Sequence, residues 1–273
     1  MSDWLSIVAA INDNDIYHRN LARSPALTTE LIPITEQRGF ASAACAYNEA
    51  LQQAKTPWIA FVHQDVYLPS AWTTQLRLAI QQYEAQHSKL GVLGVFGIDI
   101  NGDFHGTVWS SGIGKELNFS VPAPVSVVSL DELVLVVRLD CELLFDAELP
   151  GFHLYGTDIA LSALERGLDV CVFDGPVIHN SRPVLQLDES YEAAYRRVAQ
   201  RWAHKLPVPT CIVTVENNGA ALKRWRRQRS RRTLRSTLFL RNRRFNNTSL
   251  IDPVELAQRL GYEPPPTKIE ATT

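Results

Sequence analysis

The 273-residue chain contains no apolar run that approaches the roughly 20 residues needed to cross a bilayer. Cysteine is scarce, and the four that occur are far apart and form no CxxC pair: Cys45, Cys141, Cys171 and Cys211. This usage is typical of free thiols in a reducing compartment rather than of a disulfide or zinc framework. The first four residues also lack the basic region and apolar core of a signal peptide. We therefore expect a cytoplasmic protein.

Acidic residues are absent from one long segment, residues 223–244, which carries eleven Lys and Arg side chains. The whole chain has a formal net charge of −2, so the remainder, with 16 basic and 29 acidic residues, has a net charge of −13. Arginine combined with apolar groups suits an anionic membrane surface or a lipid-linked phosphate, and we favour such a ligand, which would place the protein at the inner face of a membrane. Nucleic acid is a competing but less favoured ligand, and docking onto the chain's own acidic body is a third possibility.

Composition is otherwise that of a soluble globular protein, with 45% hydrophobic and 21% charged residues. The length allows one large α/β domain and an appendage. We assign residues 1–206 to the domain and residues 207–273 to a C-terminal helical and basic extension. The tail from Pro264 onward is expected to be disordered.

Hydrophobic periodicity divides the first hundred residues into strands that alternate with helices. Apolar runs predict four strands there, at 5–11, 30–34, 58–65 and 92–98. Further strands are predicted at 125–128, 133–137 and 169–173, the first two without a helix between them. Helical spacing predicts helices at 40–54, 69–83, 155–166, 187–206 and 253–260. The pattern indicates an α/β protein with a single mixed, mostly parallel sheet flanked by helices.

Polar residues that could carry chemistry follow three buried elements. The run from Trp58 leads directly into His63-Gln64-Asp65, and ligands of open α/β sheets bind outside the carboxyl ends of strands. Asp158 and His179 adjoin two later elements. Carboxylate and imidazole groups together suit a divalent metal such as Mn or Mg, which could neutralise charge on a departing nucleoside diphosphate. A separate carboxylate could accept the proton of an attacking hydroxyl.

Each candidate also has a structural interpretation. Asp65 could form a turn, Asp158 could be a helix N-terminal acid favoured by the macrodipole, and a lone histidine such as His179 is often structural. Asp131 and Glu132 could face an acceptor or lie at a strand bend, and the bend is the preferred interpretation.

Several segments occur in an order and spacing that resemble a known family: residues 41–51, 61–66, 152–158, Gly167 and 177–179. They resemble the family 2 glycosyltransferases with the GT-A fold. More narrowly, they resemble the bacterial glycosyltransferase-like branch, in which His-Gln-Asp stands in place of Asp-x-Asp. The resemblance covers roughly residues 5–181.

The resemblance implies roles for individual residues. Asp65 would bind the metal and, through it, the donor diphosphate. His63 occupies the place of the motif's first acid and, with Gln64, would contact the donor. Asp158 matches the catalytic base of inverting members, and His179 matches a second metal or diphosphate ligand.

A second group of residues would hold the nucleotide. Ala10, Asn12 and Asp13 lie at the end of the first strand, where the family binds its nucleotide, and Glu36 and Asn48 are candidates for contacts to the base or ribose. The sequence departs from the common family pattern at these positions, because Ala-Ala-Ile-Asn-Asp replaces Pro-x-Tyr-Asn and Thr-Glu-Gln-Arg replaces Asp-Asp-Gly-Ser. Thr157 also replaces the glutamate of the common Glu-Asp pair. These departures bear on the identity of the nucleotide.

The resemblance implies a metal-dependent, inverting glycosyltransferase of the hexosyltransferase type. It would transfer sugar from a nucleotide-sugar donor to a glycan or lipid-linked acceptor in the synthesis of bacterial surface polysaccharide. A sugar nucleotidyltransferase is an alternative, disfavoured because no glycine- and Lys/Arg-rich phosphate loop follows the first strand. A non-catalytic protein that binds nucleic acid or membrane through residues 223–244 is an alternative of a different class.

Overall fold

A computed structural model describes residues 3–86, 89–119, 121–181, 187–228 and 251–264. The chain forms an α/β structure, as predicted, but with two sheets rather than one. The first sheet has seven strands, in the spatial order β2 (Ile34–Gln37), β1 (Leu5–Ala10), β3 (Trp58–Val62), β11 (Val134–Arg138), β5 (Leu90–Gly94), β12 (Asp169–Val172) and β9 (Val125–Ser126).

The seven-stranded sheet is evenly mixed rather than mostly parallel. Strand β1 pairs in parallel with β2 and β3, and β5 pairs in parallel with β12. Strand β11 lies antiparallel between β3 and β5, and β9 is antiparallel to β12. The inserted β11 is decisive for the site, because its first residues lie beside the carboxyl end of β3.

The second sheet contains the remaining strands: β10 (Ser129–Leu130), β6 (Phe96–Ile98), β7 (Phe104–Ser110), β13 (Val177–His179) and β4 (Val66–Tyr67), with β8 (Lys115–Phe119) paired to β7. The single strand predicted at 92–98 is two strands, because the chain passes from one sheet to the other at Val95. Gly106 of β7 has a φ of 103°, and a Cβ there would lie 2.0 Å from the Val95 carbonyl oxygen. Only glycine allows β7 to approach this crossing so closely.

The helices are α1 (Asn14–Arg19), α2 (Pro25–Thr29), α3 (Ala43–Gln53), α4 (Trp72–Glu84), α5 (Tyr155–Glu165), α6 (Glu189–Arg201), α7 (described over 220–228) and α8 (Pro253–Leu260). Local signals placed several of their ends correctly. Asp188 accepts a hydrogen bond from the Tyr191 amide at the start of α6, and Gly261 closes α8 in the left-handed conformation.

The second strand begins later than predicted, at Ile34 instead of Glu30. Leu31 has a φ of 53°, which belongs to a turn, and Pro33 has no amide proton to donate to a sheet. The apolar residues at 31–33 therefore connect α2 to the sheet.

Strand β3 is buried on both faces, as its apolar run predicted. Ile59 and Phe61 belong to the core that includes α3, α5 and α6, whereas Trp58, Ala60 and Val62 belong to the opposite core that includes α4. Burial of each large side chain contributes about 1.5–3 kcal/mol. The polar residues that follow Val62 are therefore the first beyond this buried strand, at the carboxyl end of β3.

The described C-terminal residues pack against the body. Leu256 and Ala257 of α8 form a small core with Tyr67 and Ile178. The division at residue 206 stays a prediction. The predicted tail lies outside the described residues, apart from Pro264.

Most of the basic segment, from residue 229 onward, also lies outside the described residues. At its start, Arg224 pairs with Glu216 at 3.2 Å, and Arg226 pairs with Glu192. These contacts agree with docking onto the chain's own acidic groups. Among the helices that the structure describes, none is long and apolar enough to span a membrane.

Candidate active site

Three polar side chains converge where β3 ends and where β13 ends. Asp65 Oδ2 lies 3.3 Å from His179 Nε2, and Asp65 Oδ1 lies 3.9 Å from His63 Nδ1. One ligand atom of each residue lies within 4.8 Å of the others. Pairing of β13 with β4 brings His179 beside Val66, and the Asn180 amide donates to the Asp65 carbonyl oxygen at 2.8 Å. The second sheet thus joins residues more than a hundred positions apart.

The cluster of His63, Asp65 and His179 has the composition of a metal site. Two imidazoles and one carboxylate suit a first-row divalent metal, and the side chains of Asp65 and His179 remain 22% and 21% exposed. An ion could therefore reach them without rearrangement of the core. The residues present fit the cation that the sequence led us to expect.

Mutual charge sets the protonation of this cluster. Burial would raise the pKa of Asp65, but His179 and His63 hold it well below its usual range. Burial lowers the pKa of His63 to about 4 and outweighs the attraction of Asp65. Burial would likewise lower the pKa of His179, but the charge and hydrogen bond of Asp65 raise it. Asp65 is therefore ionised and His63 neutral, as metal ligands must be, whereas the raised pKa of His179 favours a proton that a bound cation would have to displace.

Tyr155, the first residue of α5, orients His63. Its hydroxyl donates to the Glu132 carbonyl oxygen at 3.3 Å and lies 2.6 Å from His63 Nε2. With the hydroxyl proton directed at the Glu132 carbonyl, the tyrosine oxygen can accept a proton from Nε2 in the tautomer of His63 that carries it there. That tautomer would leave the Nδ1 lone pair of His63 on the side of Asp65, as a metal there requires.

Gln64 fastens the end of β1 to the end of β3. Its Oε1 accepts from the amides of Asn12 and Asp13 at 3.0 and 3.1 Å, and its Nε2 donates to Asn12 Oδ1 at 2.5 Å. Gln64 therefore shapes the site by fixing the relative positions of two strand ends.

A cleft of about 520 Å³ opens beside this junction, within the size range of small-molecule sites. It is lined by Ala10, Ile11, Asn12, Gln37, Arg38, Gly39, Phe40, Tyr47, His63, Gln64, Asp65 and Phe152. Five predicted residues are among them, but Arg38 and Phe152 were not predicted. Glu36 does not line the cleft, and instead holds the Arg38 guanidinium at 2.8 Å.

Two other predicted nucleotide contacts have local structural partners. The Asp13 carboxylate accepts from the Ile16 amide at 3.0 Å and caps α1. The Asn48 side chain exchanges two hydrogen bonds, both 2.9 Å, with the backbone of Phe145. Their roles in nucleotide binding stay predictions.

Asp158 lies in the first turn of α5, and its carboxylate is already engaged. Oδ2 accepts from Arg201 at 2.8 Å, and Oδ1 accepts from the Trp202 indole at 2.8 Å. The residue is 1% exposed and is not among those that line the cleft. A general base must reach the hydroxyl that it deprotonates. The catalytic role of Asp158 stays a prediction that this geometry does not support.

Asp131 and Glu132, for which the sequence favoured a strand bend, lie beside the cluster. They connect β10 to β11, and the next residue, Leu133, accepts the His63 amide proton at 3.1 Å. Burial raises the pKa of both carboxyl groups, that of Glu132 to about 8. Two adjacent acids before a strand were a visible signal, but only the pairing of β11 with β3 places them at the site.

Together, these features define an α/β protein with a cleft of small-molecule size and, at the carboxyl end of its sheet, a cluster of residues that could hold a cation. Residues 6–202 match the glycosyltransferase like family, and the chain belongs to that family. The predicted membership of a glycosyltransferase-like family is therefore confirmed.

Individual relatives are more distant. A curated protein of Fuscovulum blasticum, "ATP synthase subunits region ORF 6", is 27% identical over 179 residues, which span 59% of this chain and 66% of that protein. The crystal structure of S. aureus TarS has a TM-score of 0.45 at 13% identity, covering 72% of this chain and 39% of the other. A shorter form of TarS in complex with UDP-GlcNAc has a TM-score of 0.43 at 11% identity, covering 72% and 66%.

Proposed function

We propose that this chain is an inverting glycosyltransferase that moves a hexosyl group from a nucleotide-sugar donor to a hydroxyl of a glycan or lipid-linked acceptor. The observation that carries the proposal is the convergence of His63, Asp65 and His179, of which His63 and Asp65 line the cleft. Family membership supports the same reaction class.

Each part of the cleft has a task in this proposal. His63, Asp65 and His179 would hold a divalent cation, for which two imidazoles favour Mn²⁺ over the oxygen-preferring Mg²⁺. The cation would neutralise charge on the departing nucleoside diphosphate. Arg38, held by Glu36, offers donors to the nucleotide, and the partly exposed ring of Phe152 offers an apolar surface to its base.

The acceptor and cellular place are the remaining parts of the proposal. A role in bacterial surface polysaccharide synthesis at the inner face of the membrane follows from the family resemblance and from the basic segment at 223–244. Binding to vesicles with and without anionic lipid, compared between the full chain and a variant lacking residues 229–244, tests the membrane contact.

The central experiment measures binding and turnover of UDP-, GDP- and dTDP-sugars with Mn²⁺, Mg²⁺ or a chelator. Calorimetry reports binding, and release of nucleoside diphosphate reports turnover. Asp65→Asn and His179→Ala should abolish the metal-dependent part of donor binding. The chain offers a matched control in Asp99 and His105, another carboxylate–imidazole pair at 3.1 Å, whose residues do not line the cleft.

Asp99→Asn and His105→Ala should leave donor binding unchanged. The proposal fails if no donor binds the wild type with either metal and Asp65→Asn changes nothing. It also fails in its metal assignment if the chelator has no effect on a donor that does bind.

A further inference from the structure

Two of the three cluster residues are placed by a short strand pairing at the edge of the second sheet. Asp65 directly precedes β4, and His179 is the last residue of β13. Strand β4 has two residues, lies at the end of the strand order and pairs with β13. The Asn180 amide adds one bond, to the Asp65 carbonyl oxygen at 2.8 Å. Such a short pairing is marginal by itself, so its geometry depends on further support.

The Asn180 side chain supplies one such support. It is 2% exposed, and its Nδ2 donates to the Ile251 carbonyl oxygen and to Asn20 Oδ1, both at 3.0 Å. Asn20 is itself fully buried and donates to the Ile16 carbonyl oxygen at 2.8 Å. A carboxamide can serve both acceptors because its nitrogen carries two protons. Through its backbone and side chain, Asn180 thus connects Asp65 with α1 and with the residues that begin α8.

The C-terminal segment, residues 251–264, supports β4 by a second anchor. The Glu263 carboxylate accepts from the Tyr67 hydroxyl at 3.3 Å and from the Ser70 amide and hydroxyl at 2.8 and 2.6 Å. Between the two anchors, α8 packs its apolar side on β4 and β13. A helix of eight residues is too short to be stable alone, so these contacts fix its place. Each strand that carries a cluster residue therefore has an anchor to the C-terminal segment.

We propose that Asn180 is a positioning residue for the cation cluster; this inference rests on the cation site of the proposed function. Through Asn180 and Glu263, the C-terminal segment holds the backbone that carries Asp65 and His179. Asn180 and Glu263 are not among the described residues that line the cleft, so both act through β4 and β13. Ligand distances in a metal site vary by only about 0.2 Å, so a strand end that drifts takes its ligand out of reach.

Titration of Mn²⁺ alone, followed by the EPR signal of the free ion, measures the affinity of the cluster in the wild type and in variants. Asn180→Leu keeps a similar size but removes both donors. It should weaken Mn²⁺ binding about 10- to 100-fold, the usual effect of losing a residue that supports metal ligands. Glu263→Ala should also weaken binding, whereas Glu263→Gln keeps an acceptor for the Ser70 amide and should restore most of the affinity.

The matched control is Tyr195→Phe, which removes a buried hydrogen-bonding group from a different part of the fold. The Tyr195 hydroxyl donates to the Thr214 carbonyl oxygen at 3.0 Å and accepts from the Glu216 amide at 2.7 Å. This variant should lose stability yet bind Mn²⁺ as the wild type does. Circular dichroism sets a temperature at which the variants are folded. Hydrogen exchange of the metal-free protein is the second readout, because β4 and β13 should exchange faster in Asn180→Leu but not in Tyr195→Phe.

Wild-type Mn²⁺ affinity in Asn180→Leu, or an equal loss in Asn180→Leu and Tyr195→Phe, overturns the positioning role and leaves the cation site intact. A wild type that binds no Mn²⁺ overturns the cation site and the positioning role together. If Asn180→Leu does not fold, the Glu263 variants decide, and equal affinities of Glu263→Ala, Glu263→Gln and the wild type overturn the role.

Discussion

Replacing Asp158 with alanine separates a structural role from a catalytic one. The substitution removes the acceptors of Trp202 and Arg201 together. The Trp202 indole is buried, and an unpaired buried donor costs about 1–3 kcal/mol. The Arg201 side chain is 30% exposed and would still form an ion pair with Asp146 at 3.5 Å. Loss of the ion pair with Asp158 should therefore cost less than the roughly 3–5 kcal/mol of a fully broken buried pair.

We therefore expect Asp158→Ala to lower the free energy of unfolding by about 3 kcal/mol. At roughly 2–4 °C per kcal/mol for a chain near this size, the melting temperature should fall by about 6–12 °C. Denaturant titration and calorimetry measure the two quantities. At a temperature where the variant is folded, donor binding and slow donor hydrolysis should persist.

A matched control is Asp140→Ala, because Asp140 likewise accepts from an arginine, Arg138, in this case through both of its oxygens, at 2.7 and 2.9 Å. Its side chain is 65% exposed, so the loss should be under about 1 kcal/mol. The structural interpretation of Asp158 is refuted if Asp158→Ala melts like the wild type while donor turnover disappears. That result would restore Asp158 as the base.

Three further predictions follow from the same contacts. Gly156→Ala should destabilise the chain by about 1–3 kcal/mol, since its Cβ would meet the Leu130 carbonyl oxygen at 2.6 Å; an unchanged melting curve contradicts this. Mn²⁺ titrated alone should bind the wild type and Asp99→Asn but not Asp65→Asn, and equal binding by all three would exclude the cluster as the site. Because the pKa of Glu132 is raised from 4.5 to about 8 on folding, this group holds an extra proton in the folded chain between these values, so its contribution to the free energy of unfolding should fall as the pH rises from 5 to 8. Denaturant titrations should show a smaller slope for Glu132→Gln, and an identical slope would mean that this group does not titrate as described.

Elements whose signals are local were predictable from the sequence. The apolar run from Trp58 to Val62 correctly indicated a strand buried on both faces. Such a strand is apolar at every position, because neither of its faces presents polar side chains to solvent. Asp188 and Asp252 marked the starts of α6 and α8, since a capping side chain bonds amides two or three residues away. Such features depend on neighbours that the chain itself fixes.

The division into two sheets was not predictable in the same way. The residues at 92–98 form one apolar run, and periodicity cannot show that its halves pair with different strands. The position of β11, antiparallel between β3 and β5, is likewise a long-range choice.

The sequence by itself determined which residue types stand at the strand ends, and the resemblance that it carries indicated that Asp65 and His179 would meet. Only the tertiary structure decided the partners. In the folded chain, the Asp158 carboxylate accepts from Arg201 and Trp202, and the loop at Leu130 and Asp131 lies against Gly156 at the start of α5. Carboxylates look alike in a sequence, and their chemistry is set by the charges, donors and water that the fold brings to them.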